Sequence, residues 1–121
     1  MVKHPVHLES AFSTDGWEPH PFVKGLERKT VLSRERDGAD ITVYCFRGAG
    51  EKIEDVPFHM HENADEFTYV LRGSGKFEIE GQRALELRAG SVVCVPKGTR
   101  HRAFDSTEDL TTLNIYSPAI A

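Results

Sequence analysis

The chain has 121 residues, 39% hydrophobic and 28% charged, with a formal net charge of −4. That suffices for one domain with its own core and is too short for two, and the acidic balance speaks against the concentrated basic face that nucleic-acid binding needs. No run is apolar and long enough to span a membrane, and Met1-Val2-Lys3-His4-Pro5 does not begin a signal peptide. A cytoplasmic protein without membrane contact is expected, with Cys45 and Cys94, both in apolar strand-like runs, as buried free thiols.

In chain order, residues 1–28 come first, with Trp17, Pro19 and Pro21, and read as an irregular arm that wraps the domain or a neighbouring subunit. Its His4, His7 and His20 read as surface side chains, with His4 and His7 at most an adventitious metal trap. The domain proper, 29–121, shows no helical periodicity over three turns. It carries nine short β-rich runs, at 29–34, 40–47, 56–61, 66–71, 76–80, 83–87, 91–95, 100–105 and 110–116. Arg34-Glu35-Arg36-Asp37 and Glu86-Leu87-Arg88 mix both signs and read as solvated surface. Gly73-Ser74-Gly75 and Gly81-Gln82 are predicted hairpin turns, because glycine accepts positive φ. So many short strands without crossover helices predict an antiparallel sandwich or barrel.

Alternation gives the strands faces. Phe77 and Ile79 alternate with Glu78 and Glu80, and Leu85 and Leu87 with Glu86 and Arg88, as in strands with one wet face. In 66–71, Phe67, Tyr69 and Leu71 oppose Glu66, Thr68 and Val70, so apolar surface lies on both sides. A strand covered twice points to a homodimer.

The chemistry sits in four residues. His59 and His61 are two apart, so on a strand their imidazoles point the same way. Glu66 opens the next run after a tight turn, and His101 follows the turn Pro96-Lys97-Gly98-Thr99. Three imidazoles and one carboxylate suit a divalent metal: iron(II), manganese(II), nickel(II), copper(II) or zinc(II). Glu62 and Asp65 on the intervening turn read as solvated carboxylates. Arg72, Lys97 and Arg100 border the strand ends as solvated cations, and Tyr44, Phe46, Thr68 and Tyr116 are candidates to line a pocket.

From His59 the chain runs H-x-H-x4-E-x6-G to Gly73, and from Gly90 it runs G-x5-P-x-G-x2-H-x3-D to Asp105. These segments closely resemble the paired motifs of the cupin superfamily, over roughly residues 57–105. The family's leading glycine falls at Ile53, which reads as a lengthened loop from Gly48 to Val56, and its closing asparagine is Asp105. The resemblance implies a small single-domain cupin, a double-stranded β-helix or jelly-roll barrel, with His59, His61, Glu66 and His101 as metal ligands. It also implies a small-molecule substrate or ligand. Cupins span dioxygenases, decarboxylases, isomerases, lyases and binding proteins, so the fold selects no reaction. No catalytic residue beyond the ligands is named by any motif. The expectation is a metal-dependent enzyme, leaning to a dioxygenase because a six-coordinate ion with four protein ligands keeps two positions open. A redox-neutral isomerase or lyase, or a non-catalytic binding module, is the alternative.

Overall fold

The structure is a computed structural model and describes residues 13–121, so His4 and His7 lie outside the described residues. The elements are β1 (Trp17–Pro19), β2 (Leu26–Leu32), α1 (Arg34–Asp37), β3 (Thr42–Gly48), β4 (Val56–His59), β5 (Asp65–Arg72), β6 (Ser74–Ile79), β7 (Leu85–Arg88), β8 (Val92–Val95), β9 (His101–Phe104) and β10 (Thr111–Ser117). They form two antiparallel sheets, one of six strands in the order β1-β2-β3-β10-β5-β8 and one of four in the order β4-β9-β6-β7. The expected all-β antiparallel architecture is present.

Within the span read as irregular, Trp17–Pro19 pairs with residues 27–29 of β2. Trp17 is half-buried against its own sheet. Its indole N–H donates to the Ser13 carbonyl at 2.8 Å, and the Arg47 guanidinium lies 4.0 Å from its ring centre. It needs no neighbouring subunit. The segment read as merely solvated, Arg34–Asp37, is a capped single turn. The Ser33 hydroxyl accepts from Arg36 N at 3.1 Å, and Gly38, at φ 71°, closes it in the left-handed region. Arg36 also donates to the Thr30 and Val31 carbonyls.

Gly81 does turn the β6–β7 hairpin. Gly73 does not make a hairpin: β5 pairs with β10 and β8, whereas β6 pairs with β7 and β9. Gly73, at φ 78°, is the corner where the chain leaves one sheet for the other. A Cβ there would sit 2.7 Å from Leu110 Cα, whereas at Gly98, φ 76°, it would meet nothing within 4 Å. Gly98→Ala should therefore cost only its backbone strain, about 1–2 kcal/mol, and Gly73→Ala that plus overpacking, roughly 2–4 kcal/mol in all. Thermal melts showing equal losses would rule out the backbone clash as the reason for Gly73.

The core lies between the sheets in two parts. Val70, Phe77, Leu87 and Val95 form one, and Tyr44, Ala64 and Tyr116 the other. The loop from Gly48 to Val56 is plugged into the fold by Ile53, only 3% exposed, at the position where the motif has glycine. Two expectations need correction. Leu85 is 52% exposed because β7 is an edge strand with little covering it, and Cys94 is exposed on the outer face of edge strand β8. Cys45, in central strand β3, is buried as expected. No helix among the described residues is long and apolar enough to cross a membrane.

Candidate metal centre

The two sheets supply different parts of the site. β4 and β9 are antiparallel neighbours with His59 directly opposite His101, which puts both imidazoles on one face at a ring separation of 4.3 Å. The ladder is irregular between Val56 and His59, around Pro57, and such irregularities re-aim the side chains that follow. The strand ends at His59, two residues short of the predicted end, yet His61 keeps the shared facing at 5.4 Å from the His59 ring. Potential ligand atoms of His59, His61 and His101 all lie within 4.8 Å of one another.

Glu66 comes from the other sheet, at the start of β5. Its Oε1 lies 3.2 Å from His61 Nε2 and 3.3 Å from His101 Nε2. Distance alone would make these hydrogen bonds, but the angles do not, and Glu66 Oε1 and His101 Nε2 stay buried without a hydrogen-bond partner. Buried polar atoms are nearly always satisfied, so two orphans facing each other among imidazoles fit a cation. The four predicted ligand residues are thus brought together.

The atoms behind these four side chains fix their orientation. His59 Nδ1–H donates to the Pro57 carbonyl and His101 Nδ1–H to the Thr99 carbonyl, each at 2.9 Å. A carbonyl only accepts, so Nδ1 carries the proton and Nε2 is the nitrogen left available to an ion. Glu66 Oε2 accepts from Asn114 Nδ2 at 2.9 Å and from the Thr68 hydroxyl at 3.1 Å. Asn114 Nδ2 also donates to the Thr68 hydroxyl, and its Oδ1 accepts from Thr112. Asn114 and Thr112 were absent from the sequence reading, and only their alternate spacing on β10 could have signalled them.

Burial works against a charged Glu66, yet His101 and His61 hold its carboxyl well below the usual carboxylate range. Burial likewise opposes a charged His101, but the Glu66 carboxylate raises it. His59 is lowered, first by burial. Tyr116, whose ring lies 5.1 Å from that of His61, is pushed far up by burial and then by Glu66, so it keeps its proton. His101 stacks on Phe77 at 5.6 Å, which seats the cluster between the two parts of the core.

The turn before β9 is tied to both ligand segments. Gly98 N donates to the His61 carbonyl and Lys97 N to Asp65 Oδ1, each at 2.8 Å. Asp65 is therefore a turn-fixing acceptor, and Glu62 is exposed. Asp105 adopts φ 50°, a conformation that asparagine and aspartate tolerate, which accounts for the motif's closing residue. Thr68, Tyr44 and Tyr116 are buried on the inner face, and Phe46 packs on Tyr44. Arg72 pairs with Asp109 at the far end of β5, and Arg100 pairs with Glu80. His20 is not a solvated surface residue. It is half-buried, 5.5 Å from Phe46, with Nδ1 accepting from Phe22 N and Val23 N at 3.1 Å.

Residues 42–116 match the Cupin domain family. The chain is 26% identical to KdgF from Halomonas sp., covering 84% of this chain and 86% of that one, with a TM-score of 0.68. A cupin-like protein from Thermotoga maritima msb8 is 21% identical over 91% of this chain and 82% of its own, with a TM-score of 0.72. Ectoine synthase from P. lautus is 14% identical over 98% of this chain and 80% of its own, with a TM-score of 0.74. With its paired motifs in place and its histidines gathered between two antiparallel sheets, this chain belongs to the cupin domain family.

Proposed function

We propose that the chain is a metal-dependent enzyme acting on a small organic molecule, with His59, His61, Glu66 and His101 holding one divalent ion. The observation that carries this reading is the buried, unpartnered pair Glu66 Oε1 and His101 Nε2 inside a cluster of imidazoles. The two sheets read as the halves of a jelly-roll barrel, a double-stranded β-helix, with the site between them. When bound, the ion supplies Lewis acidity and, where it prefers six ligands, two exchangeable positions. The protein's own part is orientation. Asn114 and Thr68 hold the Glu66 carboxylate, two backbone carbonyls fix His59 and His101, and Tyr116 offers a hydroxyl that stays protonated.

A dioxygenase is the first reading within this class, because two open positions admit both a substrate and dioxygen. A redox-neutral isomerase or lyase, using the ion as a Lewis acid alone, is the second. Elemental analysis of protein purified without added metal comes first. Next come spectra of the iron(II) or cobalt(II) form with azide or nitric oxide, and oxygen uptake with catechols, keto acids and thiols. A spectrum that shifts, together with oxygen consumption, supports the dioxygenase. A shift without consumption favours the redox-neutral enzyme. A tetrahedral centre indifferent to both leaves a non-catalytic binding module.

A cytoplasmic location is proposed from the two free cysteines. A homodimer is proposed through the outer face of β5 and β8, where Phe67, Tyr69, Val92 and Cys94 are exposed and uncharged. Two copies meeting about a twofold axis would set this patch against itself. Sedimentation at micromolar concentration should give twice the chain mass, and Val92→Lys should return a monomer. A wild-type monomer would refute the dimer.

A further inference from the structure

One cation on the inner side of the six-stranded sheet is not accounted for by the ligand cluster. Arg28, on β2, stands opposite Phe46 of β3, with its guanidinium 4.7 Å from the Tyr44 ring centre. The Tyr44 ring lies 5.9 Å from that of Tyr116, which lies 5.1 Å from that of His61. Arg28 therefore closes an aromatic wall that begins at the histidines. Its side chain is 24% exposed, and its Nε is buried with no hydrogen-bond partner. Its charged partner among the described residues is Glu18, a largely exposed side chain that approaches one terminal nitrogen at 3.5 Å. A long pair at the rim contributes little and leaves the inner edge of the fork unsatisfied.

We infer that the substrate of this site is a small organic acid whose carboxylate is received by Arg28, at the end of the Tyr44–Tyr116 wall away from the histidines. The inference rests on reading the histidine cluster as the reacting end. The chemistry is specific. A guanidinium edge matches a planar carboxylate, and the stacked tyrosine fixes the plane of that edge. His20 supports the same end: its Nδ1 accepts two backbone N–H groups, so Nε2 carries the proton as a neutral donor, and burial and then Arg28 keep the ring from charging.

The test uses salicylate and its uncharged analogue salicylamide as probes, with equilibrium binding measured calorimetrically on the full chain as purified and on the same protein after chelator treatment. Metal content is determined in every sample. Wild type should prefer salicylate by about tenfold or more, the size expected for a charge-assisted hydrogen bond. The preference should survive chelation. Arg28→Gln should abolish it without changing metal content, Arg28→Lys should recover part, and Glu18→Gln should keep or increase it. An equal affinity for both probes in wild type, or an undiminished preference in Arg28→Gln, overturns the inference, as does a fall in melting temperature in both Arg28→Gln and Glu18→Gln with no change in preference. A preference that depends on Arg28 in protein that holds no metal would uphold the anion site while removing the metal reading, so the two failures are distinguishable.

Discussion

His101→Ala is expected to weaken metal binding by more than about 100-fold, since loss of a residue that merely supports a ligand already costs about 10–100-fold. The imidazole is 2% exposed, faces Glu66 Oε1 at 3.3 Å and stands opposite His59 on the neighbouring strand. It also stacks on Phe77, so its removal leaves a cavity and should lower stability by roughly 2–4 kcal/mol. His61→Ala separates the two effects, because that side chain is 25% exposed and its loss opens less of the core. Both variants should keep a β-type circular dichroism spectrum and lose metal when measured by native mass spectrometry. Retention of wild-type stoichiometry in both would refute the ligand assignment.

Asn114→Asp should have the second-largest effect. The amide donates to Glu66 Oε2 at 2.9 Å while its own oxygen accepts from Thr112. A carboxylate in its place supplies no proton to Glu66 and sets a like charge against it in a buried site, so one of the two must bind a proton. Stability should fall by roughly 2–4 kcal/mol, and metal affinity by about 10–100-fold as Glu66 loses its fixed orientation. Thr112→Val, one bond further from the carboxylate, should do less. If Asn114→Asp melts and binds metal like wild type, the network does not orient Glu66.

The four clustered residues were legible because their spacing is enforced by strand geometry: His59 and His61 at period two, Glu66 after a turn, His101 after Pro96–Gly98. Thr112 and Asn114, behind them, were hidden by inverted polarity. On β10, Thr112, Asn114 and Tyr116 face inward, and the apolar Leu113 and Ile115 lie on the other side. On β5, Glu66 and Thr68 are buried while Phe67 and Tyr69 are exposed. Alternation shows that a strand has two faces, and hydrophobicity then assigns the wrong one to the interior when that interior is polar. Arg28 was lost for the same reason, in a span that its prolines made look irregular. The β1 strand was missed because three residues including a proline carry no period. The Gly73 corner was missed because a turn residue does not reveal whether the next strand joins the same sheet.

The division of the site between two sheets also bears on the order of events in folding. His59 and His101 belong to one sheet and Glu66 to the other, and Glu66 meets its Asn114 partner across 48 positions of the chain. Such a site cannot nucleate anything, since the loop-closure entropy is met only once both sheets have come together. An ion captured there is a latch on a finished structure: it should leave the folding rate nearly unchanged and slow the escape from the native state.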